Sequence, residues 1–153
     1  MEETIATFFD KMLVFFPRLI EEYDKHIEKY SERLDTVVIE DVFMPQIISL
    51  LENDEDNGIL KELFDYFEVV SNNADANLLN VFSVTVLEIL GNDIDILKKA
   101  KKFMGPRTTE LQIEADSDLG RVKESGAFVS LSPDVDSTKV VKAINRLIEK
   151  GDN

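Results

Sequence analysis

Apolar residues recur every three or four positions through most of the first 115 residues of this chain. That spacing is typical of helices that bury one face. The predicted helices span residues 2–16, 17–33, 39–53, 59–72, 76–90, 93–104 and 107–116. The stretch 76–90 is apolar on most sides, which indicates a buried central helix. The predicted fold class is mainly α, either an irregular helical bundle or a short HEAT-like helical array.

Capping residues mark several boundaries between the predicted helices. Asp75 is a good N-cap for the helix that follows it, because its carboxylate can accept the free N–H groups of the first turn. Gly91 is expected to end that helix in the left-handed conformation. Either Asn92 or Asp93 is then expected to cap the next helix.

Two features near residue 40 complicate the helical pattern. Pro45 lies inside the predicted helix 39–53, so we expect a kink there or a helix start near residue 44. The short run 36–39 is β-branched, and it fits either a strand or the packed lead-in to a helix.

The last third of the chain has a different pattern. Residues 116–126 are typical of a loop, residues 127–131 of a short strand, and residues 134–149 of an amphipathic helix. A chain of 153 residues is one domain by its length. We therefore expect a single domain over 1–153, with a helical body at 1–115 and a strand–helix extension that forms a small strand or hairpin.

The charge of the chain is strongly acidic and uneven. The net charge is −14, and residues 1–97 carry 22 acidic and 6 basic side chains, whereas residues 98–153 carry 9 and 11. Such a charge opposes nucleic-acid binding, which depends on Lys and Arg displacing counterions from phosphates. It favours a basic protein partner or a nucleic-acid mimic, or it serves only solubility.

Composition also limits the chemistry and the location of the protein. The chain has no Cys and one His, His26, and it lacks the Gly-rich phosphate loops and the HExxH and GxSxG motifs. These features argue against an enzyme and predict no cofactor or metal. Its N-terminus lacks a basic leader, and no apolar run approaches the roughly 18 residues of a membrane span. We therefore expect a soluble, cytoplasmic protein that does not bind membranes.

Two charged segments invite functional interpretations that we weigh against simpler ones. The acidic turn Asn53–Gly58 has a superficial likeness to a calcium loop, but the position of the bidentate Glu is occupied by Phe64. The run 98–102 holds four Lys at a predicted helix C-terminus, where cations complement the helix dipole. Together with Arg107, it is also a candidate for holding an anion or for clamping the acidic N-terminal half.

One stretch resembles a known family. Residues 81–93 contain the run Val-Thr-Val-Leu-Glu-Ile-Leu, and residues 97–108 end in Gly-Pro-Arg-Thr. Both resemble a bacterial family of small acidic helical proteins of unknown function, whose members show an apolar VSxLExL helix and then a GPxT helix end. Phe15, Phe16, Pro17 and Tyr23 fit the same picture. Some such proteins resemble immunity proteins of polymorphic-toxin or contact-dependent inhibition systems. The resemblance covers about residues 5–115 and brings no catalytic residue with it.

The first functional hypothesis is a non-enzymatic immunity protein that neutralises a cognate basic, nuclease-like toxin by covering its active site. Charge complementarity with such a toxin would raise the association rate. The candidate binding residues are acids of the region 39–72, with one aromatic anchor: Glu40, Asp41, Glu52, Asp54, Glu55, Asp56, Asp65, Glu68 and Tyr66. The alternative is a helical scaffold or adaptor whose acidity serves only solubility and which self-associates through its terminal helix.

Overall fold

The computed structural model describes residues 2–53 and 57–118, and these residues form seven helices, numbered α1 to α7. Five are regular, and two contain a π-helical segment in their interior. The regular helices are α1 (Ile5–Phe15), α2 (Ile20–Tyr30, preceded by the 3-10 turn Pro17–Leu19), α4 (Asn57–Asn73), α6 (Ile94–Lys101) and α7 (Pro106–Asp118). α3 consists of Asp35–Val38, the π segment Ile39–Phe43, and Met44–Asn53. α5 consists of Ala76–Val81, the π segment Phe82–Leu87, and Glu88–Leu90. The predicted mainly α fold class is confirmed.

Pro45 is the second residue of the α-helical segment Met44–Asn53, so a segment does start at the predicted residue 44, although α3 as a whole begins at Asp35. The π segment ends two residues before Pro45, and the Met44 N–H bonds to the Ile39 carbonyl, five residues back. A proline in an α-helix lacks an N–H and clashes with the carbonyl four residues earlier. The wider π turn directly upstream accommodates this defect, so the helix continues through the proline. The β-branched run 36–39 lies in the first part of the same helix, so its interpretation as a strand is wrong.

α5 is the central helix, as its apolar sequence predicts. Its side chains at Leu78, Phe82, Leu87 and Leu90 are fully buried. Its π segment packs against the π segment of α3 and also against α7. The two irregular turns therefore meet inside the molecule.

Aromatic rings form a continuous path through the core. Phe8 of α1 meets Phe9 at 6.0 Å and Phe82 at 6.4 Å between ring centroids. Phe82 meets Phe67 at 5.3 Å, and Phe67 meets Phe64 at 5.0 Å. Edge-to-face contacts of this kind add to the hydrophobic stabilisation of the core.

Helix caps follow the sequence closely, with one exception. The Asp75 carboxylate accepts the Leu78 N–H at 2.8 Å, and Asp93 accepts the Asp95 N–H at 2.8 Å, so both predicted caps are confirmed. Gly91 is right-handed, with φ −85° and ψ −3°, and the prediction of a left-handed glycine is wrong. The chain changes direction two residues later, where Asp93 is extended with φ −125° and ψ 121°.

The N-terminal residues are joined to the turn between α4 and α5. The Glu3 N–H donates to the Asn73 carbonyl, and the Asp75 N–H donates to the Glu3 carbonyl, each at 2.9 Å. This pair is an isolated parallel bridge, and the residues described contain no strand. It fixes the entry to α1 against the far end of α4.

The C-terminal predictions are only partly covered by the structure. Residues 116–118 belong to α7, so the predicted loop 116–126 starts at least three residues too early. The remainder of that loop, the predicted strand 127–131 and the predicted helix 134–149 lie outside the described residues. Pro106 is the first residue of α7, a position where its missing N–H costs nothing.

Candidate partner-binding surface

Three of the candidate acids lie on the surface. Asp41, Glu52 and Asp65 are exposed. Asp65 pairs with Lys61 one turn earlier at 3.4 Å, and both side chains are mostly in water, so this pair contributes little stability. Glu40 is half-buried and has an interaction partner. Asp54, Glu55 and Asp56 lie outside the described residues.

Tyr66, the proposed aromatic anchor, lies inside the protein. Only 7% of it is exposed, and its ring stacks on Phe8 with 6.1 Å between centroids. Its hydroxyl donates to Glu3 Oε1 at 2.7 Å. Burial, together with the Glu3 carboxylate, raises the pKa of Tyr66 well above its usual value of 10.0. In this conformation the ring packs between α1 and α4.

Glu68 faces α7 and caps its N-terminus. One carboxylate oxygen, Oε2, accepts the Arg107 N–H at 2.9 Å. The other, Oε1, accepts the Thr108 N–H at 2.9 Å and the Thr108 hydroxyl at 2.8 Å. The first N–H groups of a helix have no partner within the helix, and Pro106 has none to offer. Glu68, about forty residues earlier in the chain, therefore does what a local N-cap side chain usually does.

Gly105 allows the carboxylate to come this close. A Cβ atom at residue 105 would lie 2.5 Å from Glu68 Oε1, which is too short for a nonbonded contact. The Gly-Pro-Arg-Thr sequence thus has a local explanation. Gly105 leaves room for the carboxylate, Pro106 starts the helix, and Thr108 supplies two of the donors.

The hydrogen bonds to Glu68 also affect its ionisation. Burial alone raises the pKa of this carboxyl, but the N–H groups of Thr108 and Arg107 and the side chains of Thr108 and Asn72 outweigh it and hold the pKa below its usual 4.5. Asn72 donates to Oε2 at 3.2 Å. The ionised form of Glu68 is therefore the form that the fold stabilises.

His26 connects α2 to α3 through Asp41. Its Nε2 lies 3.1 Å from Asp41 Oδ2, and the tautomer with the proton on Nε2 donates there. The other ring nitrogen, Nδ1, is buried and has no hydrogen-bond partner in the part of the chain that the structure describes. A general base needs a nitrogen within reach of substrate. The pair therefore suits a structural role.

The outer face of α2 is a group of exposed acids that the candidate set leaves out. α2 has no fully buried residue. Its exposed acids are Glu21, Glu22, Asp24 and Glu28, followed by Glu32. The helical spacing of Tyr23, His26 and Ile27 on the inner side is the sequence signal that would have placed these acids outward.

Among the described residues, exposed acids outnumber exposed bases by sixteen to seven, so the surface that they form is mainly anionic.

The Lys99 ammonium, in the predicted basic helix end, donates to the Glu52 carbonyl at 3.1 Å. This contact joins α6 to the C-terminal end of α3 through a backbone carbonyl, and the clamp of the acidic side chains stays a prediction.

Neither a metal site nor a membrane span is found in the part of the chain that the structure describes. Over residues 2–53 and 57–118, no three His, Asp or Glu side chains are grouped so that they could hold a metal ion. None of the helices described there has the length and apolar character needed to cross a membrane.

Comparison with known protein families shows which family the chain belongs to. Residues 9–119 match the model of a domain of unknown function, DUF7674. The chain belongs to this family, and its described part is all-helical. No curated protein matches the chain, and no solved structure does. Gly105 and the residues around it lie within the matched range, whereas Glu3 lies before it.

Proposed function

We propose that this chain is a protein-binding protein without catalytic activity, which neutralises a basic toxin by covering the toxin's active site. The observation that carries the proposal is the excess of exposed acids over exposed bases, sixteen to seven among the described residues. Nuclease toxins are basic because they bind phosphates. An anionic helical surface complements such a site and speeds association with it.

The candidate surface consists of Asp41, Glu52 and Asp65, together with the outer face of α2. Asp41 adjoins the outer face of α2, because its carboxylate contacts His26 of that helix. Glu68 and Tyr66 support this surface from within, by fixing α7 and α1 to α4. The contribution of Asp54, Glu55 and Asp56 stays a prediction from the sequence.

The test compares three versions of the full chain as bait for proteins of the source cells: wild type, Asp41→Lys with Glu52→Lys, and Glu114→Lys with Asp118→Lys. Both variants change the net charge equally, and all four positions are exposed. At low salt, the association rate of a purified basic partner with the α3 variant should be lower than with the wild type by a factor of about ten or more. Its salt dependence should be flatter, because fewer charges are screened. The α7 variant should stay near wild type.

The partner must also be a toxin. Its expression alone should stop growth, and co-expression of the wild-type chain should restore it, whereas the α3 variant should restore it less. If the two charge variants lose affinity equally, only net charge matters and the surface is wrong. If the captured partner is harmless, the toxin assignment is wrong although the binding remains.

One observation favours the alternative, a scaffold or adaptor whose acidity serves solubility. Exposed acids occur on six of the seven described helices, all except α5, so they are not confined to one face. This alternative predicts that no basic protein is retained at physiological salt. It also predicts self-association, which sedimentation of the purified chain would detect.

A further inference from the structure

We propose that α7 is a conditionally docked helix, and that the charge of Glu68 decides whether α7 packs against α4 and α5. Ionised Glu68 holds α7 against α4 and α5, and neutral Glu68 releases it while the remaining helices stay folded. This conformational device does not depend on the proposed partner.

The face that α7 buries is mostly polar. Its buried side chains are Thr108, Leu111, Gln112, Ala115 and Asp116, of which three are polar. α5, which it packs against, buries Thr85 as its one polar residue among six large hydrophobic ones. Burial of apolar surface is the main favourable term in docking a helix. α7 has little of it and depends on its hydrogen bonds.

Two sets of hydrogen bonds hold α7. At its start, Glu68 accepts the N–H groups of Arg107 and Thr108, and Ser71 of α4 lies 2.9 Å from the Thr108 hydroxyl. Further along, Gln112 Nε2 donates to the Leu87 carbonyl of α5 at 3.0 Å and to Asp116 Oδ1 at 3.0 Å. Gln112 Oε1, although buried, has no partner within the described residues. Gln112 therefore leaves one buried acceptor unsatisfied among these residues, whereas both oxygens of Glu68 have donors on α7.

The first set needs a charged carboxylate. An ionised carboxylate only accepts hydrogen bonds, whereas a protonated one carries its own proton and accepts less well. The charge also interacts with the positive end of the helix dipole, and hydrogen bonds to an ionised acceptor are about twice as strong as neutral ones. Protonation of Glu68 thus weakens three contacts with α7 at once.

Other charged groups near this end of α7 do not replace Glu68. The Arg107 guanidinium pairs with Glu110 at 2.8 Å, and one turn earlier on α4 Asp65 pairs with Lys61. On the side of α5, the charged residues are Asp116 of α7, held by Gln112, and Glu88 of α5, which also has a partner. The four donors on the Glu68 oxygens are uncharged N–H and O–H groups, so the carboxylate supplies the charge of this contact.

The direction of the pH dependence follows from the lowered pKa of Glu68. A carboxyl with a pKa lowered by folding stabilises the docked state fully above its ordinary pKa of 4.5. That stabilisation is lost as the pH falls through the lower pKa of the docked state. α7 should therefore be released in acid, below pH 4.5.

Hydrogen exchange of the full chain tests the proposal, with protection factors for α7 and α5 measured from neutral to acid pH. In the wild type, α7 should lose protection in acid before α5 does. Glu68→Gln should lose α7 protection already at neutral pH, by roughly ten- to a hundredfold, since one hydrogen bond to a charged group is worth about that factor. Its α7 protection should also depend less on pH. Asp65→Asn, one turn away, should behave like the wild type.

Two further variants keep the test decisive. Thr108→Val retains the Glu68 charge, so it should weaken docking partly and keep the pH dependence, even if Glu68→Gln fails to fold. Asp116→Asn should keep it as well. The proposal is overturned if α7 and α5 lose protection together at every pH. It is also overturned if Glu68→Gln keeps the wild-type pH profile or if Asp116→Asn abolishes that profile.

Discussion

Gly105 and Glu68 depend on each other, because the carboxylate occupies the space that any side chain at residue 105 would need. Gly105→Ala should therefore push the Glu68 carboxylate off the α7 N-terminus. Overpacking of this kind costs about 1–3 kcal/mol. Urea unfolding of the purified chain would measure the loss in the free energy of unfolding.

The matched control for this substitution is Gly91→Ala. Gly91 has a φ of −85°, which alanine adopts without strain. The stronger check is a double-mutant cycle with Glu68→Ala, since a clash with the carboxylate disappears when the carboxylate is gone. If Gly105→Ala costs as much in that background as in the wild type, the explanation by steric contact is wrong.

The sequence pattern predicted that α4 is a helix, but it did not predict the contacts of Glu68 at the border of the buried face. Leu60, Leu63, Phe64 and Phe67 have the spacing of a buried face, and all four are buried. Glu68 borders the same face and meets its partners about forty residues later in the chain. Local periodicity carries no information about such a contact. An acid on a helix with an acidic sequence is therefore easily taken for a surface residue.

Helical elements were predictable because each has an apolar face and most have a recognisable boundary. α5 and its N-cap follow directly from Asp75 and the apolar run after it. The π segments were not predicted, because one extra residue per turn hardly changes the hydrophobic pattern over five or six positions. Pro45 was the available signal, and it was interpreted as a kink or a start.

α2 ends in an unfavourable backbone conformation. Its C-cap, Ser31, has φ 60° and ψ 13°, the one left-handed non-glycine residue in the described chain. Glycine adopts this conformation without a Cβ penalty. Ser31→Gly should therefore stabilise the protein by about 0.5–1 kcal/mol, after allowing for the greater freedom of glycine in the unfolded chain.

Thermal or urea unfolding would detect that gain. The control is Ser49→Gly in the interior of α3, where the backbone is helical and the same replacement should destabilise the protein by about 0.5 kcal/mol. Equal effects at both serines would mean that the left-handed backbone at the end of α2 carries no penalty.

Over the whole molecule, the acidic surface and the buried core oppose each other. The aromatic path from α1 to α4 favours the compact state, while the excess of exposed acids works against it through self-repulsion. α2 contributes more to the repulsion than to the core. It buries no side chain completely, its acids Asp24 and Glu28 are four residues apart, and Glu32 follows just beyond its C-cap, Ser31. Like charges at that spacing repel each other on a helix.

This balance predicts that salt stabilises the protein. Raising the ionic strength from 0.01 M to 0.15 M shortens the screening length from about 30 Å to about 8 Å, so repulsion between acids weakens while the buried core is unaffected. The melting temperature should rise by about 2–4 °C for each kcal/mol gained in a chain of this size. Replacing Asp24, Glu28 and Glu32 by Asn, Gln and Gln should raise it at low salt and reduce the response to salt. A melting temperature that falls with salt would mean instead that ion pairs such as Arg33–Asp35, 2.8 Å apart, outweigh the repulsion between the acids.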